Sequence, residues 1–195
     1  MKTSEADIVA RDKLLEILEH HKCYDEKEYS DLKQMKVLIR KHPDIFHRSC
    51  ETAHLAGSAI VVDVNKGKIL LHRHKSLGLL LQFGGHPEGE NDISLVALRE
   101  TQEETGLPDL SFYPNEKNPL PIDVDVHTIP SSKGVPEHLH LDVRYILSTR
   151  QSDKICVDKN ESDYFLWLSY GEAVKMKDRI LPSLMRLIEK TFFVF

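Results

Sequence analysis

The amino-acid sequence predicts an α/β fold, a mixed sheet flanked by helices and preceded by an N-terminal helical extension. Three observations carry this. The first fifty residues hold two stretches with apolar residues at helical spacing. The middle of the chain alternates short β-branched or period-two runs with turn residues. An acidic helix is interposed between those runs, fed by a strand and a double glycine. With 195 residues, 41% apolar and 29% charged, the chain suffices for one globular domain with such an extension. The boundary is set at 1–52 for the extension and 53–195 for the domain.

Residues 5–21 read as a helix with a capping-type start at Ser4 and Asp7. Ile8, Leu14, Leu15, Ile17 and Leu18 form its apolar stripe. A second helix over 25–41 carries Leu32, Val37, Leu38 and Ile39, and should stop before His42-Pro43, because a residue preceding proline disfavours helical geometry. Leu55–Val64, the turn Asn65-Lys66-Gly67-Lys68 and Ile69–His72 make a hairpin. A loop over Lys75–Gly78 leads to a third strand, Leu79–Phe83. Residues 92–105 form the acidic helix, with Ile93, Leu95, Val96 and Leu98 for its buried side. Residues 122–129 and 138–148 form a strand pair; His138, His140 and Asp142 share one face, and Leu139, Leu141 and Val143 the other. Phe165–Leu168 is a short strand. Gly171–Lys177 and Leu181–Thr191 are closing helices, Pro182 fitting the first turn of the latter.

The chemistry concentrates in residues 84–107, GGHPEGENDISLVALRETQEETGL. Glu100, Glu103 and Glu104 lie three and four positions apart and project to one side of the helix. Carboxylates so close repel one another unless a cation neutralises them. Mg²⁺ suits the place, since it takes a few carboxylate oxygens together with water and substrate phosphate. Gly84 and Gly85 permit close backbone approach, and Gly106 supplies the left-handed residue that ends a helix. The unit looks like a metal site built to hold a pyrophosphate.

This segment resembles the Nudix box: Gly, five residues, Glu, seven residues, Arg-Glu-apolar-x-Glu-Glu-x-Gly-apolar. Gly85, Arg99, Glu100, Glu103, Glu104, Gly106 and Leu107 match in type and spacing. Asn91 stands where the pattern has Glu, with Glu90 one place earlier, and Thr101 stands at an apolar position. The strands around Asp123–His127 and His138–Tyr145 resemble a Nudix subgroup with GGH in the box and a His-x-His-x-Asp strand after it. The similarity runs over roughly residues 53–170. It implies a Nudix-type α/β/α sandwich and hydrolysis of a pyrophosphate linkage in a nucleoside diphosphate derivative, such as an NTP, a nucleotide sugar or ADP-ribose. It implies Glu103 and Glu104 as principal Mg²⁺ ligands (Mn²⁺ serving also), Glu100 as a third, and the Gly84 carbonyl as an added one. Arg99 orients a carboxylate, Glu90 or Glu100, through a bidentate fork. The general base stays open among Glu100 and Glu90 in the box and Glu137 and Glu161 outside it. His86, His138, His140 and Arg73 are the candidate contacts to substrate phosphate, and histidines beside carboxylates also suit Mn²⁺ or Zn²⁺. His72 and His74 read as structural.

A net charge of −5 argues against general affinity for nucleic acid or anionic membrane. Cys23, Cys50 and Cys156 show no metal or disulfide spacing, no apolar run reaches bilayer length, and the N-terminus lacks a signal peptide's apolar core. A cytoplasmic protein is expected, its partners a small-molecule diphosphate and, through the N-terminal helices, a second copy in a homodimer. Two other functions fit the fold. A diphosphate isomerase on this scaffold needs a cysteine and extra histidine ligands in particular places, and Cys50 and Cys156 fall outside the box and central strands. A non-catalytic nucleotide-binding module draws on Asn91, but a binder has no need of three mutually repelling carboxylates.

Overall fold

The computed structural model describes residues 5–75, 77–132, 134–156 and 162–195. Helices α1 (Glu5–Glu19) and α2 (Glu26–Lys41) lie where the periodicity puts them. The expected Ser4 cap falls outside the described residues. Asp25 caps α2, its side chain accepting from the Glu28 amide, and the helix ends at His42, before Pro43. The buried stripe is narrower than expected. Leu14 and Leu18 of α1 and Leu32, Met35 and Ile39 of α2 enter the core, while Ile8 and Val37 face solvent.

The sheet is mixed. Its axis is a parallel pair, β1 (Ala53–Asp63) and β7 (His138–Thr149), in register from Ala53↔Leu139 to Asp63↔Thr149. Each of these long strands divides its outer edge between two partners. The edge of β1 is taken at one end by β2 (Lys68–His74) across the expected hairpin and at the other by β4 (Phe83–Gly85). The edge of β7 is taken by β6 (Asp123–Ile129) and by β5 (Ser111–Phe112). The strand expected at 79–83 is therefore two. β3 (Leu80–Leu81) pairs with β2, Gln82 interrupts, and β4 crosses to β1. β8 (Ser162–Leu168) pairs with the free side of β2. The two-residue β5 has no sequence signal of its own.

Strand alternation sorts the side chains into two cores. Ala53, Leu55, Ala59 and Val61 of β1 and Leu141, Val143, Tyr145 and Leu147 of β7 join the core beneath α1, α2 and α3 (Ile93–Thr105). Ile60 and Val62 of β1 and Ile146 of β7 join the second core, with Ala173 of α4 (Tyr170–Lys175) and Leu184, Leu187 and Ile188 of α5 (Pro182–Val194). Helices thus cover both faces, the α/β/α arrangement. The inner face of α3 differs from expectation: Ile93, Val96, Ala97 and Thr101 are buried and Leu95 is exposed. Thr101 takes the apolar position because its hydroxyl donates to the Ala97 carbonyl at 2.7 Å, leaving only its methyl to pack.

A buried ionic network joins α2, β6, β7 and α5. Arg144 donates to Asp142 (2.8 Å), Asp125 (3.0 Å) and Asp123 (3.3 Å). Arg186 donates to both Asp123 oxygens, at 2.7 and 3.1 Å. Glu28, fully buried on α2, accepts from Lys190 (2.5 Å), His21 (2.7 Å) and the Tyr24 amide (2.7 Å). Such a network stabilises only while every charge keeps its partner. Burial by itself raises the Glu28 carboxyl; the bonds from His21, Lys190 and Tyr24 outweigh it and hold the group at about 2, against an ordinary 4.5. Between those values the unfolded chain binds a proton that the native chain refuses, so the contribution of Glu28 is complete above pH 4.5 and drains away toward pH 2. Urea unfolding from pH 7 to pH 2.5 is expected to show stability falling through this window. Glu28→Gln should lose about 3 kcal/mol at pH 7, because it removes the charge facing Lys190 and leaves only Asp123, at 3.5 Å, to balance it, and should show a shallower acid slope than the wild type.

Candidate functional site

The site is built where α3 meets β1 and β4 backbone to backbone. A Cβ on Gly57 would lie 2.6 Å from the Ile93 carbonyl oxygen and 3.0 Å from the Ala97 nitrogen. A Cβ on Gly84 would lie 2.4 Å from the Ser58 Cβ, and one on Gly85 would lie 2.4 Å from the Glu100 carboxyl carbon. The glycines therefore let the Glu100 carboxylate rest directly on the β4 backbone. Asp92 caps α3 by accepting from the Ser94 amide at 3.0 Å, and Gly106 ends it at φ 64°.

Arg99 holds the loop to the helix. Its Nη2 donates to the His86 carbonyl at 2.9 Å; its Nη1 lies 2.8 Å from Glu100 and 3.4 Å from Glu103. The expected carboxylate partner is thus Glu100, met through one nitrogen rather than a two-pronged fork. Burial raises the Glu100 carboxyl above its ordinary value, against the pull of Arg99. Glu103 is largely exposed. Glu104 is half-buried and lines a cleft of about 780 Å³ together with Gly84, Gly85 and His86. Glu90 lies apart from these groups. Its carboxylate accepts from the Asp92 amide at 3.0 Å, and with Asn91 it borders a different cavity, against Ala6, Val9 and Lys13 of α1. Glu137 is exposed, and Glu161 lies outside the described residues.

The cleft runs over the sheet face that carries α5. Along β1, β7 and β6 that face passes through three zones. Ile60, Val62 and Ile146 form the apolar end. Ser58, Asp142, Arg144, Asp123 and Asp125 form an ionic middle, in which Ser58 and Gln82 both donate to Asp142 (2.8 and 3.2 Å). His54, His140 and His127, aligned across three strands, form the far end, with His138 and His86 beside them. Of the expected substrate contacts, His86 and His140 line the cleft and their Nε2 atoms are 3.2 Å apart. His138 stands beside them, its Nδ1 donating to the Pro136 carbonyl at 2.8 Å. Arg73 pairs instead with Asp163 on β8. His72 is buried against Phe83 with its Nδ1 on Ser162, and with His74 it borders the same cleft. Sequence reading passed over His54, Ser58, Asp125, His127 and Arg186. For Asp125 and His127 the signal was present, as alternate positions of a strand already recognised.

The contact between Gly85 and Glu100 is open to a direct check. Gly85→Ala should cost about 1–3 kcal/mol, the usual penalty of overpacking. In a Glu100→Ala background most of that cost should vanish, because the obstructing carboxylate is gone. Equal penalties for Gly85→Ala in both backgrounds, by denaturant titration, would mean that the two groups are not in contact.

Comparison with known proteins bears on the family and the fold. The NUDIX domain family model matches residues 53–188. A NUDIX-family hydrolase from Clostridium perfringens is 25% identical, with a TM-score of 0.56, covering 71% of this chain and 95% of its own. The dihydroneopterin triphosphate pyrophosphohydrolase of E. coli is 16% identical with a TM-score of 0.52, covering 72% and 94%, and shares the fold. A comparison with curated proteins finds no match.

Proposed function

The chain belongs to the NUDIX family, and from that premise we propose that it is a divalent-metal-dependent hydrolase that cleaves a pyrophosphate linkage in a nucleoside diphosphate derivative. Hydrolysis of a phosphoric anhydride bond comes with the family. The class of substrate and the metal are our reading of the site. The observation that carries it is the seating of the Glu100 carboxylate on Gly85, which with Gly84 and Glu104 lines the cleft. We assign the chemistry to residues 53–195 and regard 1–52 as the helical extension.

The donor set suits a hard cation. Glu103, Glu104 and Glu100, with the Gly84 carbonyl, offer only oxygen, which Mg²⁺ or Mn²⁺ prefers. When bound, such an ion neutralises charge developing on the phosphate oxygens and makes water a better nucleophile. The remaining work falls to the protein. Arg99 ties the Glu100 carboxylate to the His86 carbonyl, so helix and loop keep one spacing. Glu100 is the general base we favour, since its carboxylate stands against Gly85 at the site whereas Glu90 is occupied at the start of α3. His86 and His140 at the cleft wall are placed to meet a phosphate or the group beyond it. The cleft is large enough for a nucleotide-sized ligand. Ile8, Val9 and Val37, exposed on the N-terminal helices, are where we would look for contact with a second copy.

Asn91 lies with Glu90 outside the cleft, so departure from the family pattern at this position leaves the acidic trio untouched. This favours an active enzyme over a binding module. Incubation with NTPs, ADP-ribose, dinucleoside polyphosphates and nucleotide sugars in Mg²⁺ should release nucleotide or phosphate from at least one class. Glu103→Gln and Glu104→Gln should each lower kcat by about two to three orders of magnitude, the scale of losing one preorganised charge-stabilising group, with circular dichroism and Tm preserved. Wild-type turnover in both variants would end the assignment. Asn91→Glu is expected to leave kcat/KM within a few-fold of the wild type or above it; a collapse would reveal a role for Asn91 in catalysis.

A further inference from the structure

Five imidazoles crowd the far end of the cleft face, more than phosphate recognition uses. His54 and His140 are register partners across β1 and β7, as are His127 and His140 across β6 and β7. Ring centroids lie 4.7 Å apart for His54 and His138, 4.8 Å for His54 and His140, and 4.8 Å for His86 and His140. One ring nitrogen from each of His54, His138 and His140 falls within 4.8 Å of the others. We propose that His54, His138 and His140, with His86 as fourth donor, form a site for a borderline transition-metal ion, best Zn²⁺, separate from the oxygen donors on α3.

Two features select this cluster from ordinary histidine packing. The first is the direction of the lone pairs. His138 spends its Nδ1 proton on the Pro136 carbonyl, which leaves Nε2 as a bare acceptor. His54 is 5% exposed, its ring bonds the Cys50 backbone, and its Nδ1 makes no hydrogen bond among the described residues. A metal-bound imidazole commonly has its second nitrogen anchored to a carbonyl or carboxylate, as here. The second feature is spacing. Tetrahedral zinc with Zn–N near 2.0–2.1 Å sets its ligand nitrogens about 3.3 Å apart; the His86 and His140 Nε2 atoms are hydrogen-bonded at 3.2 Å, a spacing that an ion displacing the shared proton could take over. The nitrogens of His54, His138 and His140, which lie within 4.8 Å of one another, must draw closer to take up an ion. Imidazole nitrogen favours Zn²⁺, Co²⁺ or Ni²⁺ over Mg²⁺. The donors come from β1, from β7 and from the loop after β4, so an ion there would staple three segments. It would also fix His86, whose carbonyl holds Arg99.

The full chain, stripped with chelator and dialysed, should bind one Zn²⁺ with micromolar or tighter affinity by calorimetry, and Co²⁺ should give the visible d–d absorption of nitrogen ligation. Zn²⁺ should raise Tm. His54→Asn and His140→Asn should each weaken Zn²⁺ binding at least tenfold. His138→Asn, at a half-buried position, serves if either variant fails to fold. The double variant Glu103→Gln, Glu104→Gln should bind Zn²⁺ normally while losing hydrolysis, which separates this site from the proposed catalytic one. No binding at micromolar Zn²⁺ would overturn the proposal. So would unchanged affinity in the histidine variants, which would place the ion at the acidic trio, at His21, Cys23 and Glu28, or at His42, Asp44 and Cys50.

Discussion

The site depends on a close approach of backbone to backbone. α3 sits so near β1 that no side chain fits at Gly57; at Gly84 the bar is Ser58 of β1, and at Gly85 it is the Glu100 carboxylate from α3. An ordinary helix-on-sheet contact is spaced by two layers of side chains. Removing one layer puts the helix's own carboxylates within reach of the strand's peptide groups. That is why a residue such as Glu100, about two turns into a helix, can share a site with the carbonyls of a sheet. The narrow gap also explains the small inner face of α3, where Ala97 and the back-bonded Thr101 replace larger apolar residues.

The cleft floor is an unusual choice for a sheet face flanked by helices. Asp125, Asp142, Arg144 and Arg186 line it, and behind them Glu28, Asp123 and Lys190 complete the ionic network where apolar residues would pack at less cost. Each carboxylate is held by several donors, so the floor is stiff and its charges are already spoken for. A ligand entering the cleft meets this fixed array of dipoles and charges, with the histidines at one end and Glu104 at the wall.

Much of the fold was legible because it obeys local rules. The two N-terminal helices, the hairpin at Asn65–Lys68, α3 with its closing Gly106, and the β6–β7 pair all follow from period, caps and turn residues. The failures have physical causes. The split at Gln82 arises because β1 divides its edge between β2 and β4, a tertiary fact that leaves no trace in residues 79–83. Leu95 looked like core because it is leucine, yet the glycine-lined gap favours Thr101 instead. At the site, the box motif placed Glu100, Glu104, Arg99 and the glycines together. Glu90 is adjacent to them in sequence, but its loop carries it to the other end of the helix. His54 and Ser58 were hidden in a strand that is buried on both faces, where an occasional polar residue looks like noise.

The contact between Glu28 and Lys190 spans 162 positions. Closing so large a loop is slow and entropically dear compared with forming a hairpin. As the chain leaves the ribosome, Glu28 and Asp123 emerge long before the cations of the last helix can reach them. Until then the acidic side of the floor has few partners and every reason to stay hydrated. The cations that neutralise Glu28 and Asp123 thus come from α5, Arg186 and Lys190, so the charged seam is dry only with that helix in place.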